Sequence, residues 1–569
     1  MTDQKTPGQP AQDAAGDLAG ALDMLLADGA LGVLRRFRPD GAVLRLAMSL
    51  AQRPQLVSQQ VGLFGAELAQ IVKGSSQLTP DRKDRRFADP AWSQNPVLRR
   101  VLQAYLAAAQ IVTSMLAGAD LEWRDDERLR FVLANVIAAA APSNNPLFNP
   151  AAIKTLVDTG GLSALRGLRA MLSDLAEPPR VPAMVEPGAF EVGLDLAVTP
   201  GSIVLRTEMF ELVQYAPMTE HVLEYPVLVV PPMINKFYIT DLAPGRSMIE
   251  YLVGQGHQVF AISWRNPDRR HKDWDLDSYG RSVLEALDAA IAICRTEKAS
   301  ICALCSGGIV SSMVAAHLSD IGQLDRVASL CLGVTVLDQE RAGTAGAMID
   351  ETTAAAAIAA SRARGYLDGR ALAEVFAWLR PDDLIWNYWV NNYLQGRTPP
   401  PFDILFWNAD TTRLPAALHR DFITLALGNA LTKPGAARML GSPVDLGKVD
   451  TDTYVIAGIA DHLCPWQSCY RTTQLLGGPV TFVLSTSGHI ASMVNPPGNP
   501  KATFQTAAHN PADPREWLAN AETMSGSWWP HYADWLAARS GQDRKRRARL
   551  GRRGFEVLAA APGTYVHDR

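Results

Sequence analysis

The sequence has little of what would tie it to a specialised environment. It contains no run of about 18 or more apolar residues, so no membrane-spanning helix is expected. Its six cysteines follow no regular framework, which argues against a disulfide-stapled secreted fold and for a reducing cytoplasm. Charged residues are only 20% of the chain and the net charge is −4; a dedicated nucleic-acid binder would carry a basic excess. The first twenty residues lack a basic-then-apolar pattern, so no signal peptide is expected. They are rich in Gly, Ala, Gln, Asp and Pro, and disorder is expected over 1–20.

What is present is a long, core-forming chain. Its 569 residues, 47% of them hydrophobic, exceed one ordinary domain. From 21 to about 188 the signals are helical: apolar residues recur at helical spacing over 97–116 and 127–141. Polar and proline-rich breaks separate these stretches, and no catalytic cluster is evident. After the proline-rich 177–188 the pattern changes. Short apolar runs at 203–215, 225–233, 257–264, 326–334, 453–458 and 480–485 alternate with helical stretches, the signature of a mainly parallel sheet covered on both faces. Between about 337 and 445 the alternation stops. That aromatic-rich, mostly helical insert is expected to be a cap over a site. The basic stretch 543–553 reads as a solvated run, with binding of substrate phosphates as the alternative.

The chemistry centres on Ser300 to His317. A short apolar strand, Ile301–Leu304, runs into a turn and then a helix opening through Gly307 and Gly308. This is the form of a nucleophile elbow, which lifts one reactive side chain above the sheet. Backbones approach closely two residues either side of the nucleophile, so small residues are needed there. Cys305 has Ala303 and Gly307 at those positions; Ser306 has Leu304 and Gly308. Cys305 is therefore the expected nucleophile. A redox or metal pair of Cys302 with Cys305 is disfavoured, since Cys302 lies within the strand and no second pair completes a zinc site.

On an α/β-hydrolase the acid and the base follow later strands, in the order nucleophile, acid, base. Asp461 stands just beyond the strand 453–458, and His489 just beyond 480–485. His462 competes for the base, but its position beside Asp461 suits a supporting role. The oxyanion hole is expected from the backbone N–H of Ser306 and that of Met233 or Ile234, in the loop that also carries Asn235. Trp386, Trp389 and Trp407 are candidates for excluding water.

With these residues placed, the chain resembles the polyhydroxyalkanoate synthases, of the single-subunit kind. The resemblance runs from about residue 80 through DRRFADPAW, PPMINKFYITDL, ISWRNPD, ALCSGGI, FDILFWNADTTRLPAALHRDF, AGIADHLCPW, STSGHIASMVNPPGNPKA and APGTYV. Ala303 departs from the Gly that usually opens the family's box. The resemblance implies an α/β-hydrolase domain over 189–569 with a cap; the helical region 21–188 before it, with Ala- and Leu-rich helices and no polar cluster, is expected to serve assembly and granule association. It implies a Cys305 nucleophile with Asp461 and His489. The substrate would be a 3-hydroxyacyl-coenzyme A, with no separate cofactor and no metal. A homodimer at the surface of cytoplasmic polyester granules, with granule-coat proteins as partners, is the implied setting. A thioesterase or intracellular polyester depolymerase on the same fold is the first alternative. A non-catalytic granule protein is the second.

Overall fold

The computed structural model describes residues 29–30, 32, 41–339, 351–461 and 463–569. The expected disordered stretch 1–20, His462 and residues 340–350 of the expected insert lie outside them. The chain forms two compact units: one holds Pro187–Gly369 and Phe402–Arg569, the other Gly32–Glu186 and Arg370–Pro401.

The first unit is built on an eleven-stranded sheet. Its strands are β1 (Gly201–Arg206), β2 (Phe210–Tyr215), β3 (Val227–Val230), β4 (Val259–Trp264), β5 (Ala299–Leu304), β6 (Val327–Gly333), β7 (Thr453–Gly458), β8 (Val480–Ser485), β9 (Thr503–Thr506), β10 (Glu522–Ser525) and β11 (Ala559–Ala560). In space they run β10-β9-β8-β7-β6-β5-β3-β4-β2-β1-β11. The six strands from β8 to β4 are parallel, and those outside them antiparallel. Strands β3, β4, β5 and β7 are buried at every position. Helices cover both faces, so these strands read as unbroken apolar or small runs rather than alternating ones. This is the expected α/β-hydrolase architecture.

Strand order explains where a site can form. β3 lies between β4 and β5, so the chain winds one way from β3 to β4 and the other way from β5 onward. The loops after β3 and β5 therefore diverge and leave a crevice at the carboxyl ends of the strands. Two helices flank this point. Over Leu276–Cys294, Asp275 caps the start by accepting the Ser278 N–H at 2.9 Å. Apolar residues at Tyr279, Val283, Ala286, Leu287, Ala290 and Ile293 form its buried face. The helix Ser306–Asp320 is buried almost all round, which is why its sequence shows little amphipathic pattern.

The basic stretch 543–553 is largely exposed, as a solvated run would be, but it is also ordered by backbone contacts. Asp543–Lys545 pairs antiparallel with His221–Leu223. Arg547 and Arg552 donate to the carbonyls of Ile293 and Ala292, the last turn of the helix Leu276–Cys294, where cations offset the helix dipole. The terminal APGTYV segment is likewise structural: fully buried Glu211 accepts the N–H groups of Thr564 at 2.8 Å and Tyr565 at 2.9 Å.

The second unit is helical, with Gly41–Ala51, Pro54–Lys73, Pro96–Gly118, Trp123–Ala139, Pro150–Asp158 and Leu162–Ala176. Asn95 caps Pro96–Gly118 by accepting the N–H of Val97 and Leu98. That helix is long and apolar enough to cross a membrane, which the search for unbroken apolar runs missed. Here it buries Leu102, Ala107 and Leu116, and Leu102 packs with Phe87, Trp92 and Ala141. Residues 370–401 belong to this unit, so the expected insert 337–445 is divided between the two. Tyr393 donates to Asp174 at 2.8 Å, Asn392 to the Ala183 carbonyl at 2.7 Å, and Trp389 to the Asn144 carbonyl at 3.1 Å. Trp386 and Trp389 thus serve the packing of the helical unit.

Candidate active site

β5 runs into its helix through Cys305, whose φ of 49° and ψ of −120° are strained for any residue with a side chain. Packing enforces the strain. A Cβ on Gly307 would stand 2.5 Å from the Val230 carbonyl oxygen and 2.6 Å from that of Pro231. The helix start therefore presses on the loop after β3, and only glycine passes. The Cys305 N–H is held by the Gly333 carbonyl at 2.9 Å. Ser306 is fully buried, and its Oγ accepts the Met233 N–H at 3.1 Å. That engagement removes Met233 from the expected oxyanion donors. The Ile234 N–H has no acceptor among the described residues and remains, with that of Ser306 at the helix N-terminus.

The acid and base stand on neighbouring loops. Ile459 donates to the Ser485 carbonyl at 2.9 Å and Ala460 to that of Ser487 at 3.1 Å, so the loops after β7 and β8 are strapped together. Buried Asp461 uses both carboxylate oxygens: Oδ1 accepts the N–H groups of Leu463 at 2.8 Å and Cys464 at 2.9 Å, and Oδ2 lies 2.7 Å from His489 Nδ1. With Nδ1 bound to a carboxylate, the remaining His489 nitrogen is Nε2, and a ring nitrogen lies within 4.8 Å of Cys305 Sγ.

These contacts set the charges. The Cys305 thiol is lowered to about 5, chiefly by a hydrogen bond from Cys464 and then by His489 and the Ser306 N–H, against its burial. For His489, burial pulls downward, but the charge and hydrogen bond of Asp461, with those of Cys305, raise it to about 10. Both shifts favour the thiolate at Cys305 and the imidazolium at His489.

Cys464 was not anticipated. Its Sγ, that of Cys305 and a ring nitrogen of His489 lie within 4.8 Å of one another. The available signal was spacing: a residue three beyond Asp461 whose N–H binds that carboxylate is folded back toward the base. Cys302 instead sits opposite Cys331 on the adjacent strand and interacts with its thiol. Trp407 braces the loop after β3, its Nε1 donating to the Lys236 carbonyl at 2.7 Å. Asn235 in that loop is buried and bridges to Thr411.

The chain is similar to known proteins over most of its length. Residues 83–252 match the family model described as Poly-beta-hydroxybutyrate polymerase (PhaC) N-terminus, and 226–496 match the alpha/beta hydrolase fold. The chain is 46% identical over 527 residues to Poly(3-hydroxyalkanoate) polymerase 1 of Ectopseudomonas oleovorans, covering 93% of each protein. It is 38% identical over 510 residues to the Poly(3-hydroxyalkanoate) polymerase subunit PhaC of Cupriavidus necator, covering 88% of this chain and 86% of that one. Likeness of this extent through both units leaves one assignment: the chain belongs to the poly(3-hydroxyalkanoate) polymerase family, enzymes of acyl transfer.

Proposed function

We propose that the enzyme polymerises 3-hydroxyacyl groups delivered as coenzyme A thioesters, carrying the acyl chain on Cys305 and releasing coenzyme A. The observation that supports this reading best is the Cys305–His489–Asp461 line at the sheet's switch point. The Cys305 thiolate attacks the thioester carbonyl, and the oxyanion is met by the N–H groups of Ser306 and Ile234. The carbon–sulfur bond to coenzyme A breaks. The His489 imidazolium gives its proton to the departing thiolate and becomes neutral. One thioester has replaced another at nearly equal energy, so the acyl group stays activated.

Elongation reverses the proton's path. The 3-hydroxyl of a second hydroxyacyl-coenzyme A loses its proton to neutral His489 as its oxygen attacks the Cys305 thioester. An ester forms, the Cys305 thiolate leaves, and the thiolate–imidazolium pair is restored. The lengthened thioester then reacylates Cys305 with loss of coenzyme A. Asp461 holds the Nδ1 proton throughout and stabilises the imidazolium.

The helical unit is proposed to bind the polyester granule surface. Its helix Leu162–Ala176 exposes Leu162, Leu165, Leu168, Leu172 and Leu175, and Pro150–Asp158 exposes Ile153, Leu156 and Val157. Apolar faces of this extent mark an interaction site. A homodimer, granule-coat partners and a cytoplasmic location belong to the same proposal. Rapid quenching with labelled 3-hydroxyacyl-coenzyme A tests the chemistry. The expected result is about one equivalent of label on the Cys305 peptide with matching coenzyme A release, followed by polymer. Free hydroxy acid as the sole product would instead establish a hydrolase.

A further inference from the structure

In the proposed reaction Cys464 forms no bond and moves no proton, yet beyond its hydrogen bond to Cys305 it completes a constellation with a second chemistry. Three soft or borderline donors converge: Cys305 Sγ, Cys464 Sγ and a ring nitrogen of His489, all within 4.8 Å of one another. Cys305 is partly exposed, and the other two are buried. Two thiolates and an imidazole form a recognised three-protein-ligand zinc set that keeps a fourth position open. Tetrahedral bonds of about 2.3 Å to sulfur and about 2.0 Å to nitrogen need donors roughly 3.5–3.8 Å apart. The donors therefore need to close by at most about 1.3 Å, within reach of side-chain rotation.

The surroundings favour such closure. Asp461 Oδ2 holds His489 Nδ1 at 2.7 Å, which directs Nε2 to the metal and supplies the carboxylate–histidine pairing that tunes metal sites. Asp461 Oδ1 holds the Cys464 N–H at 2.9 Å, so one carboxylate anchors two of the three ligands. No further acid or base has to be recruited.

We propose that Cys305, Cys464 and His489 form a reversible inhibitory site for a thiophilic divalent cation, with Zn²⁺ as the type ligand. The inference rests on the same residues as the proposed polymerase site, but not on the reaction assigned to them. The cation occupies the nucleophilic sulfur and the base nitrogen together, so acylation stops until a chelator removes it. It acts as an inhibitor, distinct from a resident cofactor. Ligation needs both sulfurs as thiolates and the imidazole unprotonated at the ligating nitrogen, so any proton on these groups leaves to the solvent.

The test measures binding, not turnover. The reduced full-length enzyme is titrated with Co²⁺ as a spectroscopic probe and then with Zn²⁺. One metal per chain and thiolate-to-metal charge-transfer absorption are expected. Cys464→Ser is expected to weaken Zn²⁺ binding by about 100-fold or more, beyond the 10–100-fold that changes behind the ligands cost. Cys469→Ser, outside the cluster, is the control and should bind as the unsubstituted enzyme does. In the unsubstituted enzyme, Zn²⁺ should also protect both Cys305 and Cys464 from iodoacetamide, as mapped on peptides. Equal Zn²⁺ affinity in the Cys464→Ser and unsubstituted enzymes would overturn the proposal. So would undiminished alkylation of Cys464 at saturating metal. Either failure leaves the acyl-enzyme experiment untouched, since that reads Cys305 acylation without metal.

Discussion

The two units treat their side chains in opposite ways. In the sheet unit the polar groups are fixed by several partners each: Asp461 makes three hydrogen bonds, and Ser306 ties the elbow to the loop after β3. In the helical unit a row of leucines on Leu162–Ala176 points outward. Chemistry needs groups held to fractions of an ångström, whereas adhesion to an apolar surface needs only area and is roughly proportional to it. One unit should therefore be intolerant of single atoms, and the other tolerant of everything but lost area.

Cys305→Ala breaks the comparison hardest if it fails. It is expected to abolish covalent loading and coenzyme A release, measured with a thiol reagent, while leaving granule partition intact. His489→Gln comes next, with a loss of about 10²–10⁴-fold or more in coenzyme A release, the range general acid–base catalysis supplies. Asp461→Asn should still load Cys305 but extend poorly, because deprotonating an alcohol asks more of the imidazole than transferring a thiol proton. Equal falls in loading and extension would reduce Asp461 to orienting His489 alike in both steps.

Changes in the other unit should read out elsewhere. Leu165→Glu with Leu172→Glu alters exposed positions, so stability should shift by no more than about 0.5 kcal/mol per site. Partition onto polyester granules should fall severalfold with unchanged release of coenzyme A from soluble substrate. A matching fall in that release would erase the division of labour. Ser306→Ala has the smallest effect on chemistry: the Met233 N–H loses its acceptor, at about 1–3 kcal/mol of stability by thermal or chemical unfolding. Cys305 should remain alkylatable.

The same contrast explains what the sequence disclosed. A nucleophile elbow needs a small residue where Gly307 meets the carbonyls of Val230 and Pro231, so local spacing alone singled out Cys305. Asp461 and His489 follow strands whose order the fold dictates, and they fall together through the strapped loops after β7 and β8. Long-range partners left no such mark. Nothing local says that 370–401 packs with the helical unit, or that Arg547 and Arg552 cap a helix more than 250 positions earlier in the chain. Cys464 went unseen because its role depends on a backbone bond to Asp461, which spacing suggests only once the carboxylate is placed. Nothing local told Met233 from Ile234 in the loop after β3, since the Ser306 hydroxyl that takes the Met233 N–H reaches it from 73 positions away.

The resting thiolate–imidazolium pair is the centre of this account, and its pH dependence is its most direct test. Cys305 is lowered to about 5 and His489 raised to about 10. Protonation below the first limit removes the nucleophile, and deprotonation above the second removes the proton destined for coenzyme A. The measurement is the rate of Cys305 alkylation by iodoacetamide from pH 4 to 11, followed on the isolated peptide. A half-rise at about pH 5 with a plateau to about pH 10 is the expected result. A single half-rise near the ordinary thiol value of about 8.5 would show that no such pair exists.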